Sequence, residues 1–445
     1  MVILGLGTNL GDKLSYLRLA LNAIKNIPGL EVLQVSPIYC SDALLPENAP
    51  LDWNQPYLNL ALRCDTLLDE FKLLDELKKI EWSIGRKPEK RHWGPREIDI
   101  DILAWDQKII NHERLTIPHH NLPERPFALW PLADVAPFWI FPIGYYEGQT
   151  AAQVVEPWGS RFSGRAPFHT KQIPHRVDTP ALVGVINVTP DSFSDGGNFL
   201  APEAAAKQFN ELVAAGAEII DIGAESTAPN AAAIDEKQEW SRLAMVLEAI
   251  ATIRNQTFIT PKISLDTRHA SIVEQALKFG IDWINDQTGC DDSRMREIVA
   301  SSGLDCVIMH HLSIPERRDN VMPRNLDPVQ AVYAWGEERV QLLEASGISR
   351  EKIIFDPGIG FGKMAEQSLR LLQHTEYFKQ LGTRLLVGHS RKSFFTLFTD
   401  QAPTERDVET LAMTLGLLQH HPDYLRVHQV DWCARGLRVA AAMGC

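Results

Sequence analysis

Cysteine is scarce in this chain and poorly spaced for chemistry. The 445 residues include six, at positions 40, 64, 290, 306, 433 and 445, and no two form a C-x-x-C pair. That excludes a cysteine zinc site and a disulfide framework, and it points to a reducing, cytoplasmic compartment. No apolar run approaches the ~18 residues a membrane-spanning helix needs, so no membrane partner is expected. The opening MVILGLGTNLG has neither a basic stretch nor a long apolar core and does not read as a signal peptide. Positive charge is in deficit: the formal net charge is −13. Nucleic acid and anionic membranes would be repelled, and neither is expected as a partner. Two phosphate-binding signatures are also missing. No G-x-G-x-x-G opens a β–α unit, which removes the usual dinucleotide fingerprint. The one tempting Gly362-Lys363 pair has Pro357 where a P-loop needs glycine and Met364 where it needs Ser or Thr.

What is present is ordinary for a soluble globular protein: 45% hydrophobic and 23% charged residues. At roughly 100–200 residues per domain, the length suggests two or three domains. Basic residues do gather locally. Lys78, Lys79, Arg86, Lys87, Lys90, Arg91 and Arg96 are offset in that stretch only by Glu81 and Glu89. The cluster suits an anionic small substrate, or else a solvated helix end and loop.

Two halves read differently. Residues 1–160 mix strand-like runs (Val2–Leu6, Tyr57–Leu62, Ile98–Leu103) with amphipathic helices (Leu14–Ile27, Leu67–Ile84), the pattern of an α+β domain. Periodicity then fades, and 161–178 reads as a linker. Residues 179–445 alternate strand and helix. The strand candidates are Leu182–Val188, Glu218–Gly223, Lys262–Asp266, Trp283–Asp286, Asp305–His310, Lys352–Asp356, Arg384–Gly388 and Tyr424–His428. Eight β-then-α units in about 265 residues match a (β/α)8 TIM barrel, with a doubly wound open sheet as the rival. Polar residues sit where the strands end: Asn187, Asp221, Asp266, Asn285, His310, Asp356, Ser390, Lys392, Arg426 and His428. A barrel gathers these around one pocket. Thr267 and Asp291 each read as helix caps.

The densest chemistry in the first half is HWGPREIDIDI, His92–Ile102. Asp99 and Asp101 are two apart on a strand, so both point to one face. Adjacent carboxylates repel unless a cation lies between them, and Mg2+ prefers such oxygen ligands together with substrate phosphates. The alternative is a solvated edge pair. The run resembles the signature of the 6-hydroxymethyl-7,8-dihydropterin pyrophosphokinases. GLGTNLG at 5–11, Pro56-Tyr57-Leu58-Asn59, Arg86, Ile117-Pro118-His119 and Phe127-Ala128-Leu129-Trp130-Pro131-Leu132 support the likeness over about 1–145. The resemblance implies a ferredoxin-like fold, ATP as substrate, and Mg2+ on Asp99 and Asp101. It implies Arg86, Arg96 and His119 on the phosphates, Glu81 and Trp93 near the nucleotide, and the pterin between Tyr57 and Phe127, read by Asn59. Three places depart from it: Pro88 and His92 stand where arginines are usual, and Ser41-Asp42 replace Thr-Pro. Altered loop dynamics and ATP affinity are expected from these, not loss of function.

The second half opens with an eleven-residue loop of turn formers and hydroxyls, Asn187–Gly197, of the kind that closes over barrel sites. With IIDIGAESTAP (219–229), SLDT (264–267), IND (284–286), DPGIGFGK (356–363), GHSRKS (388–393) and RVH (426–428), it resembles dihydropteroate synthase over about 180–440. The resemblance implies that Asp266, Asn285, Asp356 and Lys392 bind the pterin, and that Asn187 helps hold Mg2+. It places Thr227, Arg426 and His428 on the pyrophosphate, and Phe193, Phe361 and Ser390 beside p-aminobenzoate. Lys392 and Asp266 join Asp99, Asp101, Arg86 and Arg96 as the residues expected to carry the chemistry. A homodimer through the barrel is also expected. One departure touches the site: Ala228 follows Ser226-Thr227 where the family has arginine. A pterin-dependent methyltransferase barrel is a rival of the same class. A silent scaffold beside an active kinase is a rival of another class.

Overall fold

A computed structural model describes residues 1–86, 94–188, 201–225, 234–314, 317 and 319–444. The chain divides into two compact units, Met1–Asp178 together with Ala441–Gly444, and Thr179–Ala440.

The first unit is built on β1 (Val2–Thr8), α1 (Lys13–Lys25), β2 (Leu30–Val35), β3 (Tyr39–Ser41), β4 (Tyr57–Thr66), α2 (Glu70–Ile84) and β5 (Asp99–Trp105). The sheet runs β5-β1-β4-β3, with β2 also on β4, which is the ferredoxin-like arrangement. Apolar spacing makes the helices. Helix α1 buries Leu14, Leu17, Leu21 and Ile24, and α2 buries Leu73, Leu77 and Ile80. Asp12 and Asp69 cap their N-termini, accepting from Ser15 N at 3.2 Å and Lys72 N at 2.9 Å. Gly85, at φ +120°, ends α2 and turns the chain toward Arg86. A small hairpin, β6 (Ile110–His112) and β7 (Leu115–Ile117), leads to α3 (Pro126–Val135) and α4 (Ala151–Val155). These pack on the sheet around Leu129, Trp130, Trp139 and Phe141.

The expected linker at 161–178 is instead part of this unit. Strand β8 (Lys171–Gln172) pairs antiparallel with β3, and Ile173 N donates to Ile38 O at 2.9 Å. Arg176 is buried and donates to Val35 O at 2.8 Å and to Asp178. A two-residue strand leaves no periodicity to read, and the segment is held by backbone pairing together with the buried Arg176 side chain. A fragment ending at 178 is therefore expected to melt higher than one ending at 170. For ~2 kcal/mol lost the difference is roughly 4–8 °C, measurable by scanning calorimetry.

The second unit is a closed barrel of eight parallel strands. They are β9 (Ala181–Asn187), β10 (Ile219–Gly223), β11 (Lys262–Asp266), β12 (Trp283–Asp286), β13 (Asp305–Met309), β14 (Ile353–Asp356), β15 (Arg384–Val387) and β16 (Tyr424–Val427). Around them lie α5 (Ala201–Ala215), α6 (Glu236–Arg254), α7 (Ala270–Ala276), α8 (Ser293–Ser302), α9 (Pro328–Ala345), α10 (Ala365–Gln373), α11 (Asp407–Gly416) and α12 (Val430–Ala442). Trp283 and Tyr424, edge to face at 4.7 Å, belong to the layer closing the N-terminal end. The polar strand ends lie at the other mouth. The two caps differ from expectation. Asp292, not Asp291, caps α8, and Asp291 pairs with Arg339 at 2.6 Å. Thr267 accepts from His269 N at 3.2 Å, but His269 holds the cap position of α7. Among the described residues no helix is long and apolar enough to cross a membrane.

Candidate active sites

In the first unit, β5 presents Asp99 and Asp101 on one face, opposite Gly7 and Gly5 of β1. A Cβ at Gly7 would lie 3.1 Å from Asn59 Oδ1, so glycine there leaves Asn59 its place. Asp99 is held between two guanidiniums, Arg86 Nη1 at 2.5 Å and Arg96 Nη1 at 2.9 Å. Burial alone would raise its carboxyl, but Arg96, Arg86 and Lys78 outweigh burial and hold it below the usual range. Asp101 goes the other way: burial and the charge of Asp99 push it up to about 7. The pair is thus held at electrostatic cost, an arrangement that a hard cation bound to both oxygens would relieve.

Glu81 is buried, and its carboxylate is used inside the protein. It accepts from Lys78 Nζ at 2.7 Å, Ile100 N at 2.7 Å and Arg86 Nη1 at 2.6 Å. Its bonds tie α2 to the strand between the two aspartates and hold Arg86. His119 follows β7; its backbone N–H donates to Leu103 O at 2.9 Å, and its ring stacks on that of His120 at 4.7 Å. Burial, then Arg125 and His120, push its imidazole down to about 4, so near neutral pH it brings a hydrogen-bonding ring and no charge. Tyr57 and Asn59 project from β4, where Asn59 Nδ2 donates to buried Ser41 Oγ at 3.2 Å. Phe127 opens α3, edge to face with Phe168 at 5.5 Å. Trp93, with Pro88 and His92, lies outside the described residues. Sequence reading passed over Arg125, whose guanidinium is partly buried within reach of the charges of Asp101 and Asp99. Its only signal was its place just before Pro126-Phe127.

The barrel mouth is a linked polar network. Arg426 on β16 donates from Nε to Asp221 Oδ2 at 2.7 Å and from Nη2 to Asp266 Oδ2 at 3.3 Å. Asn285 Nδ2 reaches the same Asp221 oxygen at 3.0 Å, and Gln287 Nε2 donates to Asp266 Oδ1 at 2.8 Å. Burial and the charge of Asp221 raise Asp266 to about 7, against the pull of Arg426. Asp356 is buried at the end of β14, accepts Gly358 N–H at 2.8 Å, and is raised by burial. The Lys392 ammonium lies 4.2 Å from the Phe361 ring centroid, bringing pterin and p-aminobenzoate candidates together.

Ser390 Oγ is bonded to His428 Nδ1 at 2.9 Å, so it places that ring. Burial and the cations Arg426, Arg391 and Lys392 push His428 down to about 3, which leaves it a neutral donor. Asn187 stands exposed at the end of β9. Phe193, Thr227 and Ala228 lie outside the described residues. Lys363, weighed in the sequence only as a failed P-loop lysine, is buried. It bonds Gly358 O at 2.8 Å, Phe361 O at 2.9 Å and His310 Nδ1 at 2.9 Å. It therefore shapes the loop that carries Phe361.

Comparison with known proteins agrees with both constellations. The 7,8-dihydro-6-hydroxymethylpterin-pyrophosphokinase family matches residues 3–137, and the pterin binding enzyme family matches 183–428. The folate synthesis bifunctional protein of Chlamydia muridarum is 36% identical over 100% of this chain and 98% of its own. That of Arabidopsis thaliana is 31% identical over 99% and 96%. The chain belongs to the folate synthesis bifunctional protein family. Among solved structures, the dihydropteroate synthase of Anaplasma phagocytophilum is 38% identical, covers 60% of this chain and 99% of its own, and has a TM-score of 0.55. The synthase of Xanthomonas albilineans, solved with 4-aminobenzoic acid, is 33% identical, covers 60% and 94%, and also has a TM-score of 0.55. As a folate synthesis bifunctional protein, the chain is a transferase with two activities. It moves pyrophosphate from ATP to 6-hydroxymethyl-7,8-dihydropterin, releasing AMP, then condenses the product with p-aminobenzoate to dihydropteroate. The methyltransferase and silent-scaffold readings of the barrel give way to this.

Proposed function

We propose the following assignment of residues to the two reactions. In the first unit Arg86 and Arg96 bind ATP phosphates, His119 adds a neutral donor, and Trp93 flanks the nucleotide. Glu81 positions Arg86 and the strand. Tyr57 and Phe127 flank the pterin and Asn59 reads it. The observation that carries this half is the paired Asp99 and Asp101, one held ionised by two arginines and the other raised by its neighbour. That donor set fits Mg2+, which when bound would neutralise the phosphates. The chain's own work is to place the pterin hydroxymethyl in line with the β-phosphorus and to hold the charge of departing AMP.

In the barrel, Asp266, Asn285, Asp356 and Lys392 hold the pterin, while Thr227, Arg426 and His428 hold the pyrophosphate. Phe193, Phe361 and Ser390 border p-aminobenzoate, and Ser390 also sets His428. Cationic groups at the mouth stabilise the charge on leaving pyrophosphate as the aniline nitrogen takes its place. Asn187 offers one neutral oxygen, which fits a Mg2+ held mainly by substrate phosphates. The purified chain given hydroxymethyldihydropterin, ATP, Mg2+ and p-aminobenzoate should yield both AMP and dihydropteroate. AMP without dihydropteroate would remove the barrel half of the assignment.

A cytoplasmic setting is supported by the free cysteines Cys40, Cys64, Cys290, Cys306 and Cys433. Of these, Cys290 and Cys306 bring their Sγ atoms to 3.1 Å. A homodimer through the barrel is part of the same proposal; Val408 on α11 and Trp432 and Val439 on α12 are exposed apolar residues of that unit.

Ala228→Arg should raise synthase kcat/KM about tenfold, the value of one added charge-assisted contact of ~1.5 kcal/mol. Steady-state kinetics on supplied pterin pyrophosphate reads it. An unchanged value would mean that no phosphate approaches this loop.

A further inference from the structure

Asp221 is a barrel-mouth carboxylate bonded by side chains from three other strands. It is 1% exposed, and its acceptor positions are taken by three strands. Ser264 Oγ on β11 donates to Oδ1 at 2.6 Å. Asn285 Nδ2 on β12 and Arg426 Nε on β16 both donate to Oδ2, at 3.0 and 2.7 Å. A carboxylate saturated by its own protein is poorly placed to bind a ligand. What it does is decide which atoms of its partners remain for one. With one Nδ2 hydrogen on Asp221 Oδ2, the Asn285 amide is fixed in rotation, and its carbonyl oxygen and second N–H are left for other partners. With Nε on Asp221 and Nη2 toward Asp266, the guanidinium of Arg426 is fixed in rotation as well as in place.

We propose that Asp221 is the positioning residue of the synthase site, fixing the rotation of the Asn285 amide and holding the guanidinium of Arg426 as an oriented anion clamp. The inference rests on the pterin and pyrophosphate roles assigned to those two residues above. It adds a group that touches neither substrate yet sets how both are recognised.

A second consequence is electrostatic. Four groups face Asp266: Asp221 from β10, Arg426 from β16, Gln287 beyond β12 and Glu239 from α6. After burial, the charge of Asp221 does most to raise the Asp266 carboxyl to about 7. If ionised Asp266 binds the pterin, synthase activity falls as pH drops through about 7. Removing the charge of Asp221 moves that fall to lower pH.

The test uses the full chain with supplied pterin pyrophosphate and p-aminobenzoate, and compares wild type, Asp221→Ala and Asp221→Asn from about pH 5.5 to 9. Asp221→Ala frees the amide and the guanidinium, and is expected to raise KM for pterin pyrophosphate about tenfold with KM for p-aminobenzoate little changed. Asparagine keeps a carbonyl oxygen for Asn285 and Arg426 and an N–H for Ser264 Oγ, but no charge. It should bring the KM penalty down to about threefold while shifting the acidic limb down by at least half a pH unit. Melting of the barrel unit in the same preparations, followed by scanning calorimetry, reports that the variants are folded. The proposal is overturned if both variants match wild type. It is equally overturned if Asn is no better than Ala and the limb stays where it was, since Asp221 would then be only structural. A wild type without synthase activity would instead sink the assignment of the barrel itself.

Discussion

Asp101→Asn is expected to cut AMP formation at least about a thousandfold, while the same protein still makes dihydropteroate from supplied pterin pyrophosphate. A bound divalent cation is worth several kcal/mol of charge stabilisation at a phosphoryl group, and ~4 kcal/mol is about three decades in rate. Asparagine keeps the shape of the side chain but halves the charge available to a cation beside Asp99. The variant also predicts a stability effect of definite sign. A carboxyl whose folded pKa is raised disfavours the fold once the unfolded chain is ionised. For Asp101 the cost grows from about pH 4 and is complete above about 7. Without metal at pH 8, Asp101→Asn should therefore melt higher than wild type. Added Mg2+ should raise the wild-type melting temperature more than the variant's. Wild-type rates of AMP release in Asp101→Asn would remove Asp101 from the site, whatever the melting curves show.

That contrast explains why the carboxylate pair was legible in the sequence while its supports were not. Alternation along β5 puts residues 99 and 101 on one face, a local fact. The barrel was legible for a similar reason: each strand is a short apolar run ended by a polar residue, repeated eight times, and the strands form within two residues of the expected bounds. The supports depend on contacts between distant segments. Asp221 takes its partners from residues 43, 64 and 205 positions away, so in sequence it was one more polar strand end. Glu81 entered through the family resemblance alone, which says nothing of its partners inside the protein. Only the strand packed beside α2 supplies the Ile100 N–H that draws it inward. The segment at 161–178 was misread because backbone pairing leaves no pattern in side chains. At Asp291-Asp292 the composition allowed either residue to cap, and the backbone chose the second.

Asp356→Asn is expected to weaken pterin binding about a hundredfold and leave AMP formation intact. The structure decides how the new amide would sit. Asp356 Oδ1 already accepts the Gly358 N–H at 2.8 Å. An asparagine keeps that bond only by placing its oxygen there, which turns its NH2 toward the ligand. The pterin's amidine-like edge, proposed to donate two parallel N–H groups to this carboxylate, would then meet a donor. A buried mismatch with loss of charge costs ~3 kcal/mol, about two decades in affinity. Lys392, Arg426 and Lys363, whose charges all favour the ionised form of Asp356, would also face a neutral group. The pH dependence separates this anchor from a packing role. Burial raises the Asp356 carboxyl, so wild-type binding should weaken as pH falls through that raised value, because protonation removes an acceptor. Asp356→Asn removes that contribution, leaving only the dependence from Asp266. Calorimetric titration with a non-reactive pterin across pH reads both effects. Unchanged affinity in Asp356→Asn would shift the anchor to Asp266, the other buried carboxylate proposed to hold the pterin.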